Sequence, residues 1–385
     1  MTRHINTFIH RLFVFFLAVI AIVLPAARSA AQKSDEISRL NKCWDYWTDS
    51  SPEGVLSFDR QRIYFAVSGG AANAVDVGTG KIAWSAELGG RINSNILVRE
   101  NDLLISTTVV ADQQKPSSAV LRSLSKETGI VNWSVSVTAA ERLYLRNSST
   151  GLAVISSGGG VEMLNARDGT RIWNRPAAGV LSAAPADDDR HVAVATRSGE
   201  ILVMSLADGS VVSKFKASYP AETIGIVEGR SVIYGDGRGN LVSYGLESGT
   251  KEWKIRAGAK WSYIGTTDEG IAAVSADNFV YMVAPERGNV LWKRRLPGRV
   301  AGAPAISEKF IITASYGESS AYVIDLEKGR FVNQIVVPEK HSFSQSPVFV
   351  TADSAAAITD RGITLWSFAV CPENKKAAPA TAPPS

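Results

Sequence analysis

A turn motif that recurs at a nearly constant interval constrains this chain more than any other feature. In each copy an apolar run leads into a short polar turn with a glycine, and a second apolar run follows. Five copies place a tryptophan four residues after the glycine: Gly80 and Trp84, Gly129 and Trp133, Gly169 and Trp173, Gly249 and Trp253, and Gly288 and Trp292. Two more copies, at Gly209 and Gly329, keep the glycine without the tryptophan. Successive glycines are 49, 40, 40, 40, 39 and 41 residues apart, which predicts a repeat protein.

The content of each repeat predicts one blade of a β-propeller. In the seventh repeat four strand-like runs follow one another, VAGAPAIS, KFIITASYG, SAYVIDLE and GRFVNQIVV. A period near 40 residues with about four short strands is typical of propeller blades. Asp-Gly and Thr-Gly pairs suit the hairpins, because glycine accepts a positive φ. The longer first interval is explained by an insertion at 111–118, ADQQKPSS. We expect each repeat tryptophan to pack on the neighbouring blade.

The two ends of the repeat region predict how the ring closes. After the seventh glycine turn the chain has three more strand-like runs, SFSQSPVFV, SAAAITDRG and ITLWSFAVC, but no fourth. Near the other end, Cys43 precedes Trp47 by four residues, the same spacing as glycine to tryptophan in the repeat. We therefore predict that the N-terminal strand is the fourth strand of the last blade and that a Cys43–Cys371 disulfide replaces its hairpin turn. The alternative is two unpaired thiols.

The first 31 residues predict a secretory signal peptide. Arg3 and Arg11 precede an apolar run of 13 residues, 12–24. Ser29 and Ala31 then suit the −3 and −1 positions of a cleavage site. Such a run is shorter than the roughly 20 residues that a membrane-spanning helix needs. We predict a periplasmic or otherwise exported protein without stable membrane insertion after cleavage. An uncleaved anchor is the alternative.

The predicted domain boundaries follow from these features. They are a signal peptide at 1–31, a leader at 32–42, the propeller at 43–371 and a disordered, Pro- and Ala-rich tail at 372–385. Removal of the signal peptide leaves 38 basic residues against 37 acidic ones. A nearly neutral chain lacks the electrostatic basis for nucleic-acid binding. An exported compartment also permits the disulfide, and there is no CxxC motif to suggest zinc or redox chemistry.

The repeats also resemble a known family. The segments VSYGLESGTKEWKIR and YMVAPERGNVLWKRRL are similar to the ALDxxTGxxxW repeats of the PQQ-like propellers. The resemblance covers residues 43–371 and implies either of two kinds of function. One branch contains quinoprotein dehydrogenases, and another contains non-catalytic propellers such as the BamB-type lipoproteins of the outer-membrane β-barrel assembly machinery. This sequence departs from the lipoproteins because no cysteine lies near the predicted cleavage site.

The sequence offers little catalytic chemistry. Only His191 and His341 remain after signal removal, there are no adjacent cysteines, and no GxSxG motif occurs. The acidic run PADDDRH at 185–191 is interpreted as a solvated loop. The segment YGDGRGN at 234–240 is interpreted as a hairpin turn, since Arg238 stands where a calcium loop requires a carboxylate. We predict no enzyme activity, no metal and no cofactor.

Basic and aromatic residues directly precede several predicted innermost strands. Because those strands surround the channel of a propeller, residues just before them are expected around one mouth of the channel. The candidate partner-binding residues are Arg91, Arg142, Lys260, Trp261, Arg299 and His341. A basic rim with an aromatic anchor suits an acidic partner segment, since Arg and Trp are enriched at binding hot spots. The alternative is that these loops are polar only because they are solvated.

The sequence thus predicts an all-β fold, an eight-bladed β-propeller of four-stranded antiparallel blades closed by the N-terminal strand. Its predicted role is an exported, non-catalytic scaffold for protein–protein interaction. The resemblance implies a partner in the cell envelope, the outer-membrane β-barrel assembly machinery, and the nearly neutral charge predicts no nucleic acid. Two alternatives stay open: a quinone- or small-ligand-binding propeller with enzymatic activity, and a structural envelope component.

Overall fold

The structure is a computed structural model that describes residues 40–371, except 51, 110–117, 139, 177–178, 317, 338–342, 344 and 360–361. The predicted signal peptide, most of the leader, the C-terminal tail, nearly all of the 111–118 insertion and the candidate His341 therefore lie outside the described residues. Within the described part all regular structure is β-strand, and it holds no helix long and apolar enough to cross a membrane.

The strands form eight antiparallel blades in a ring, which confirms the predicted fold. The first blade consists of β2 Pro52–Phe58, β3 Arg62–Val67, β4 Ala71–Asp76 and β5 Ile82–Glu87, and the second of β6 Arg91–Ile92, β7 Leu97–Val98, β8 Asp102–Val109, β9 Ser118–Ser125 and β10 Val131–Val137. The third consists of β11 Leu143–Ser148, β12 Gly151–Ser156, β13 Gly160–Leu164 and β14 Arg171–Pro176. The fourth consists of β15 Ala186–Asp187, β16 His191–Ala195, β17 Glu200–Ser205 and β18 Val211–Lys216. The next three are β19 Ala221–Val227, β20 Ser231–Asp236, β21 Asn240–Gly245 and β22 Lys251–Arg256; β23 Trp261–Thr267, β24 Gly270–Ser275, β25 Phe279–Val283 and β26 Val290–Arg295; and β27 Val300–Ile306, β28 Phe310–Ser315, β29 Ser320–Asp325 and β30 Phe331–Val336. The eighth is β31 Val348–Thr351, β32 Ser354–Thr359, β33 Gly362–Ser367 and, outermost, β1 Asn41–Trp47.

Strand direction divides the loops between two faces of the ring. The connection face carries the segments that lead from one blade to the innermost strand of the next, together with the hairpins between second and third strands. The turn face carries the hairpins between first and second strands and the glycine turns between third and fourth strands. Those candidate rim residues that the structure describes precede or begin innermost strands, so they belong to the connection face.

The core lies between neighbouring blades. The middle strands are buried on both sides, as in β12, where every residue of GLAVIS is buried. This double burial explains why these strands read as continuous apolar runs rather than alternating ones. One apolar cluster joins Ile63 and Phe65 of the first blade to Ile358 and Leu365 of the last, and it closes the ring.

The repeat tryptophans pack on the next blade, as the sequence predicts. The Trp84 ring lies against Gly129, where an added Cβ would come within 2.6 Å of the ring. Its Nε1 donates a hydrogen bond to the carbonyl oxygen of Lys126 at 2.7 Å. Gly129 also has a φ of 71°, so both its conformation and this close approach require a glycine. Where the tryptophan is lost, Ser213 Oγ donates to the equivalent carbonyl, that of Leu246.

The N-terminal strand closes the ring through β1, which pairs antiparallel with β33. The Cys43–Cys371 disulfide is present, with the two Cα atoms 5.5 Å apart. One detail of the prediction is wrong, because Trp44 rather than Trp47 occupies the repeat tryptophan position. Trp44 lies against Gly80 and its Nε1 donates to the Val77 carbonyl at 2.8 Å, whereas Trp47 is 58% exposed. The β-bulge between Lys42 and Trp44 is the same one that precedes a repeat tryptophan elsewhere, as between Val131 and Trp133, so Cys43 occupies the bulge position rather than that of the turn glycine.

Candidate interaction surface

A central channel runs between the innermost strands and encloses about 640 Å³. Residues of the first seven blades line it, and many of them are apolar or small. Examples from five blades are Val55, Ile96, Ile224, Ile264 and Ala303. The innermost strands are therefore the elements that position any side chain offered to a ligand in the channel.

Each carboxylate of the channel lining is paired with a cation. Arg146 Nε lies 2.5 Å from Asp187 Oδ1, and each side chain is about one quarter exposed. Burial raises the pKa of Asp187 above its ordinary value, and the Arg146 guanidinium offsets part of that rise. Glu222 lies 3.3 Å from Lys260 Nζ. Both carboxylates that line the channel are thus engaged by a cation.

Asp187 corrects the interpretation of PADDDRH as a solvated loop. Asp187 belongs to innermost strand β15 and lines the channel, while Asp188 holds the following hairpin turn. Asp188 Oδ1 accepts hydrogen bonds from the backbone amides of Arg190 and His191, at 2.7 and 2.6 Å. Adjacent acidic residues therefore have different roles, because successive side chains of a strand point to opposite sides.

The YGDGRGN segment is a hairpin turn between β20 and β21, as predicted. Asp236 is almost fully buried and accepts hydrogen bonds from the Arg238 and Asn240 amides, both at 2.9 Å. Asn240 Nδ2 also donates to Asp236 at 2.7 Å. The carboxylate is therefore occupied by the turn itself. Across the described residues, no group of three or more His, Cys, Asp or Glu is arranged to hold a metal ion.

The predicted rim residues divide by position. Arg142 lines the channel and its guanidinium lies 5.6 Å from the centre of the Tyr144 ring, a cation–π contact. Lys260 is exposed at the same mouth, where it pairs with Glu222. Arg91 and Arg299 are exposed on the connection face outside the channel lining. Their role in partner binding stays a prediction.

Trp261 is not available as an exposed anchor, which corrects that part of the prediction. Its side chain is fully buried, and Nε1 donates to the Gly239 carbonyl at 2.8 Å. The ring packs against Tyr281, with the ring centres 5.0 Å apart. Gly235 makes room for it, since a Cβ there would come within 2.4 Å of Trp261 Cβ. The position directly after a polar loop does not by itself reveal whether a strand's first side chain points inward.

Two tyrosines missed by the sequence analysis provide exposed aromatic surface on the connection face. Tyr219 is 44% exposed, and the Arg238 guanidinium lies 5.3 Å from the centre of its ring. Tyr316 is 78% exposed, and its backbone amide donates to the Arg299 carbonyl at 2.6 Å. The available signal was an aromatic residue within a polar loop, in KASYPAE and ASYGESS.

Eight four-stranded blades, seven of them with a glycine turn between the third and fourth strands that contacts a side chain of the preceding blade, define a PQQ-like β-propeller. The model of one family, described as outer membrane protein assembly factor BamB, matches residues 34–255 and 237–367. The chain therefore belongs to the BamB family of PQQ-like propellers.

Individual relatives agree with this assignment. An outer membrane protein assembly factor BamB from Shewanella oneidensis is 23% identical over 357 residues, which is 86% of each chain. The crystal structure of BamB from Moraxella catarrhalis matches with a TM-score of 0.65 at 15% identity, over 85% of this chain and 99% of that one. The computationally designed Ika8 protein matches with a TM-score of 0.72 at 12% identity, over 85% and 99%. At such identities the structural matches support the fold alone.

Proposed function

We propose that this protein is an exported, non-catalytic scaffold that binds a partner of the outer-membrane β-barrel assembly machinery through its connection face. Membership of the BamB family supports this proposal, and so does the relative from Shewanella oneidensis, which is named as an outer membrane protein assembly factor. The signal peptide predicted at 1–31 supports a location in the cell envelope.

The observation that carries the proposal is the composition of the connection face. Arg91 and Arg299 are exposed there, and Arg142 is held at the channel mouth by its contact with Tyr144. Tyr219 and Tyr316 add exposed aromatic area beside arginines. Arginine and tyrosine dominate binding hot spots because both offer large contact areas with polar ends. An acidic partner segment would match this surface in charge.

Charge reversal on the connection face tests the proposal. The tagged protein carrying Arg91→Glu, Arg142→Glu and Arg299→Glu is crosslinked in cells, purified from envelopes, and the recovered proteins are identified by mass spectrometry. We expect the wild type to recover the β-barrel assembly core and the triple variant to lose at least about 90% of it, since several contacts of 1–2 kcal/mol are removed together.

A control variant separates the surface from the overall change in charge. Arg230→Glu, Arg287→Glu and Lys328→Glu make the same change on the turn face, where all three side chains are exposed. This control should capture the partner as the wild type does. Equal capture by both triple variants would place the binding surface elsewhere, and recovery of no assembly component by the wild type would contradict the proposed function itself.

A further inference from the structure

A second concave surface lies on the turn face, between the second and third blades. Its volume is about 750 Å³ and it is open to solvent. We call it the blade 2–3 groove and define it by Arg99, Asp102, Asn132, Trp133, Asn147 and Asn165. The groove is formed by the hairpins 99–101 and 148–150, the glycine turn around 165–169, and the start of β10. It lies on the opposite face from the partner surface proposed above.

A hydrogen-bonded chain of side chains forms the floor of the groove. Asn132 Nδ2 donates to Ser123 Oγ at 3.2 Å, and Ser123 Oγ donates to Asp102 at 2.6 Å. Asp102 in turn lies 3.3 Å from Arg99 Nε. Arg99 Nη1 then donates to the Ala166 carbonyl of the third blade at 2.7 Å. These contacts fix the orientation of the floor before any ligand arrives, which lowers the entropy cost of binding.

Trp133 differs from the repeat tryptophans whose indole N–H bonds to the next blade. Its ring lies against Gly169, as the repeat requires, but Arg99 takes the carbonyl that would accept its indole N–H. Among the described residues Trp133 Nε1 has no hydrogen-bond acceptor, and the side chain lines the groove. In contrast, Trp84 Nε1 donates to the equivalent carbonyl of the next blade, that of Lys126, at 2.7 Å. Trp133 thus offers the groove an aromatic surface and an unused donor.

The remaining lining is polar and balanced in charge. Four asparagines line the groove, Asn101, Asn132, Asn147 and Asn165, together with several serine and threonine hydroxyls. A side-chain amide offers two donors and one acceptor oxygen, so it suits ligand hydroxyl or amide groups. The charged lining residues are two of each sign, Arg99 and Arg167 with Glu100 and Asp102, so the groove selects no net charge.

We propose that the blade 2–3 groove binds a neutral oligosaccharide. A sugar ring presents hydroxyl groups at its edge and apolar C–H groups on its face, which match the asparagine amides and the Trp133 ring. The open groove suits a chain of sugars rather than one enclosed small molecule. A peptide strand would instead require a free row of backbone groups along the groove, and only the start of β10 offers a strand edge there, the rest of the wall being hairpin tips and side chains. This proposal does not depend on the partner surface.

Titration of the folded mature protein with defined sugars tests the proposal. The probes are chitotetraose and maltotetraose, measured by isothermal titration calorimetry and by saturation-transfer NMR. We expect at least one probe to bind, in the roughly 0.1–1 mM range that a few hydrogen bonds and one aromatic contact supply. The double variant Asn132→Ala and Asn147→Ala should bind about tenfold more weakly or not at all, because it removes amides from both walls.

Two further variants identify the site. Trp133→Phe keeps a ring on Gly169 but removes the indole N–H and part of the stacking area, so it should also weaken binding. Asn174→Ala is the control, since Asn174 is an exposed asparagine on the next outer strand, β14, outside the groove. Its affinity should match the wild type. The proposal is overturned if neither tetrasaccharide binds, if the double variant binds as well as Asn174→Ala, or if an unrelated neutral peptide competes equally for the groove.

Discussion

Loss of the Cys43–Cys371 disulfide should destabilise the ring more than any exposed substitution. The two cysteines are 328 residues apart in sequence, so the crosslink restricts nearly the whole unfolded chain. The chain-entropy relation for a loop of that length gives about 5–6 kcal/mol at 25 °C. With an unfolding entropy of about 2.1 cal/mol/K per residue over the propeller, this corresponds to a decrease in Tm of roughly 8 °C.

The assay compares thermal unfolding of the oxidised mature protein with the double variant Cys43→Ala and Cys371→Ala. Hydrogen exchange should in addition show loss of protection in β1 and β33, the pair that the bond joins. Reduced wild-type protein should behave like the double variant, which separates the bond from the loss of sulfur. A decrease in Tm below about 2 °C, with β1 still protected, would refute the reasoning that closure depends on this crosslink.

Three further predictions concern single side chains. Gly129→Ala should lower the unfolding free energy, measured by chemical denaturation, by at least about 3 kcal/mol, because its Cβ would lie 2.6 Å from the Trp84 ring. Gly54 has a similar φ of 75° but open space around it, so Gly54→Ala should cost only about 1–2 kcal/mol. Trp44→Ala should cost about 3 kcal/mol and Trp47→Ala less than about 0.5 kcal/mol; the reverse order would contradict the corrected register. Asp59 has a pKa that burial tends to raise but that hydrogen bonds from a lysine, two backbone amides and a tyrosine lower below its ordinary value. Its contribution to the unfolding free energy is therefore present above about pH 4 and lost as the pH falls through the lowered pKa, so Asp59→Asn should destabilise at pH 7 and converge with the wild type once the pH is below that pKa.

The sequence predicts the parts of this fold that depend on a regular spacing. The interval from Gly129 to Trp133 repeats in five copies, so strands, blades and ring closure can all be derived from it. The assignment of Trp47 failed because the spacing aligns Cys43 with the turn glycine, whereas the strand register places Cys43 at the β-bulge directly before the repeat tryptophan. Where a crosslink replaces the turn, no glycine marks the register, so spacing alone does not locate the tryptophan.

The candidate surface was less predictable, because it depends on where individual side chains point. Trp261 follows a polar loop just as the exposed rim arginines do, but it points into the space that Gly235 leaves free. Asp187 stands beside two acidic residues of the turn, although it alone faces the channel. Tyr316 is 78% exposed although it directly follows the buried end of β28. Orientation within a loop or at a strand end is set by contacts across blades, which a single sequence does not reveal.

The pairing of β1 with β33 also determines the order in which this ring can be completed. During synthesis β1 emerges before every other strand of the ring, yet its partner β33 emerges last, after seven blades have been made. Until then Trp44 can pack on the glycine turn of the first blade, but β1 has no neighbouring strand to pair with. We therefore expect a chain that ends before β33 to form the first seven blades without pairing β1. The last strand to leave the ribosome, β33, thus decides whether the molecule is a closed ring or an open arc.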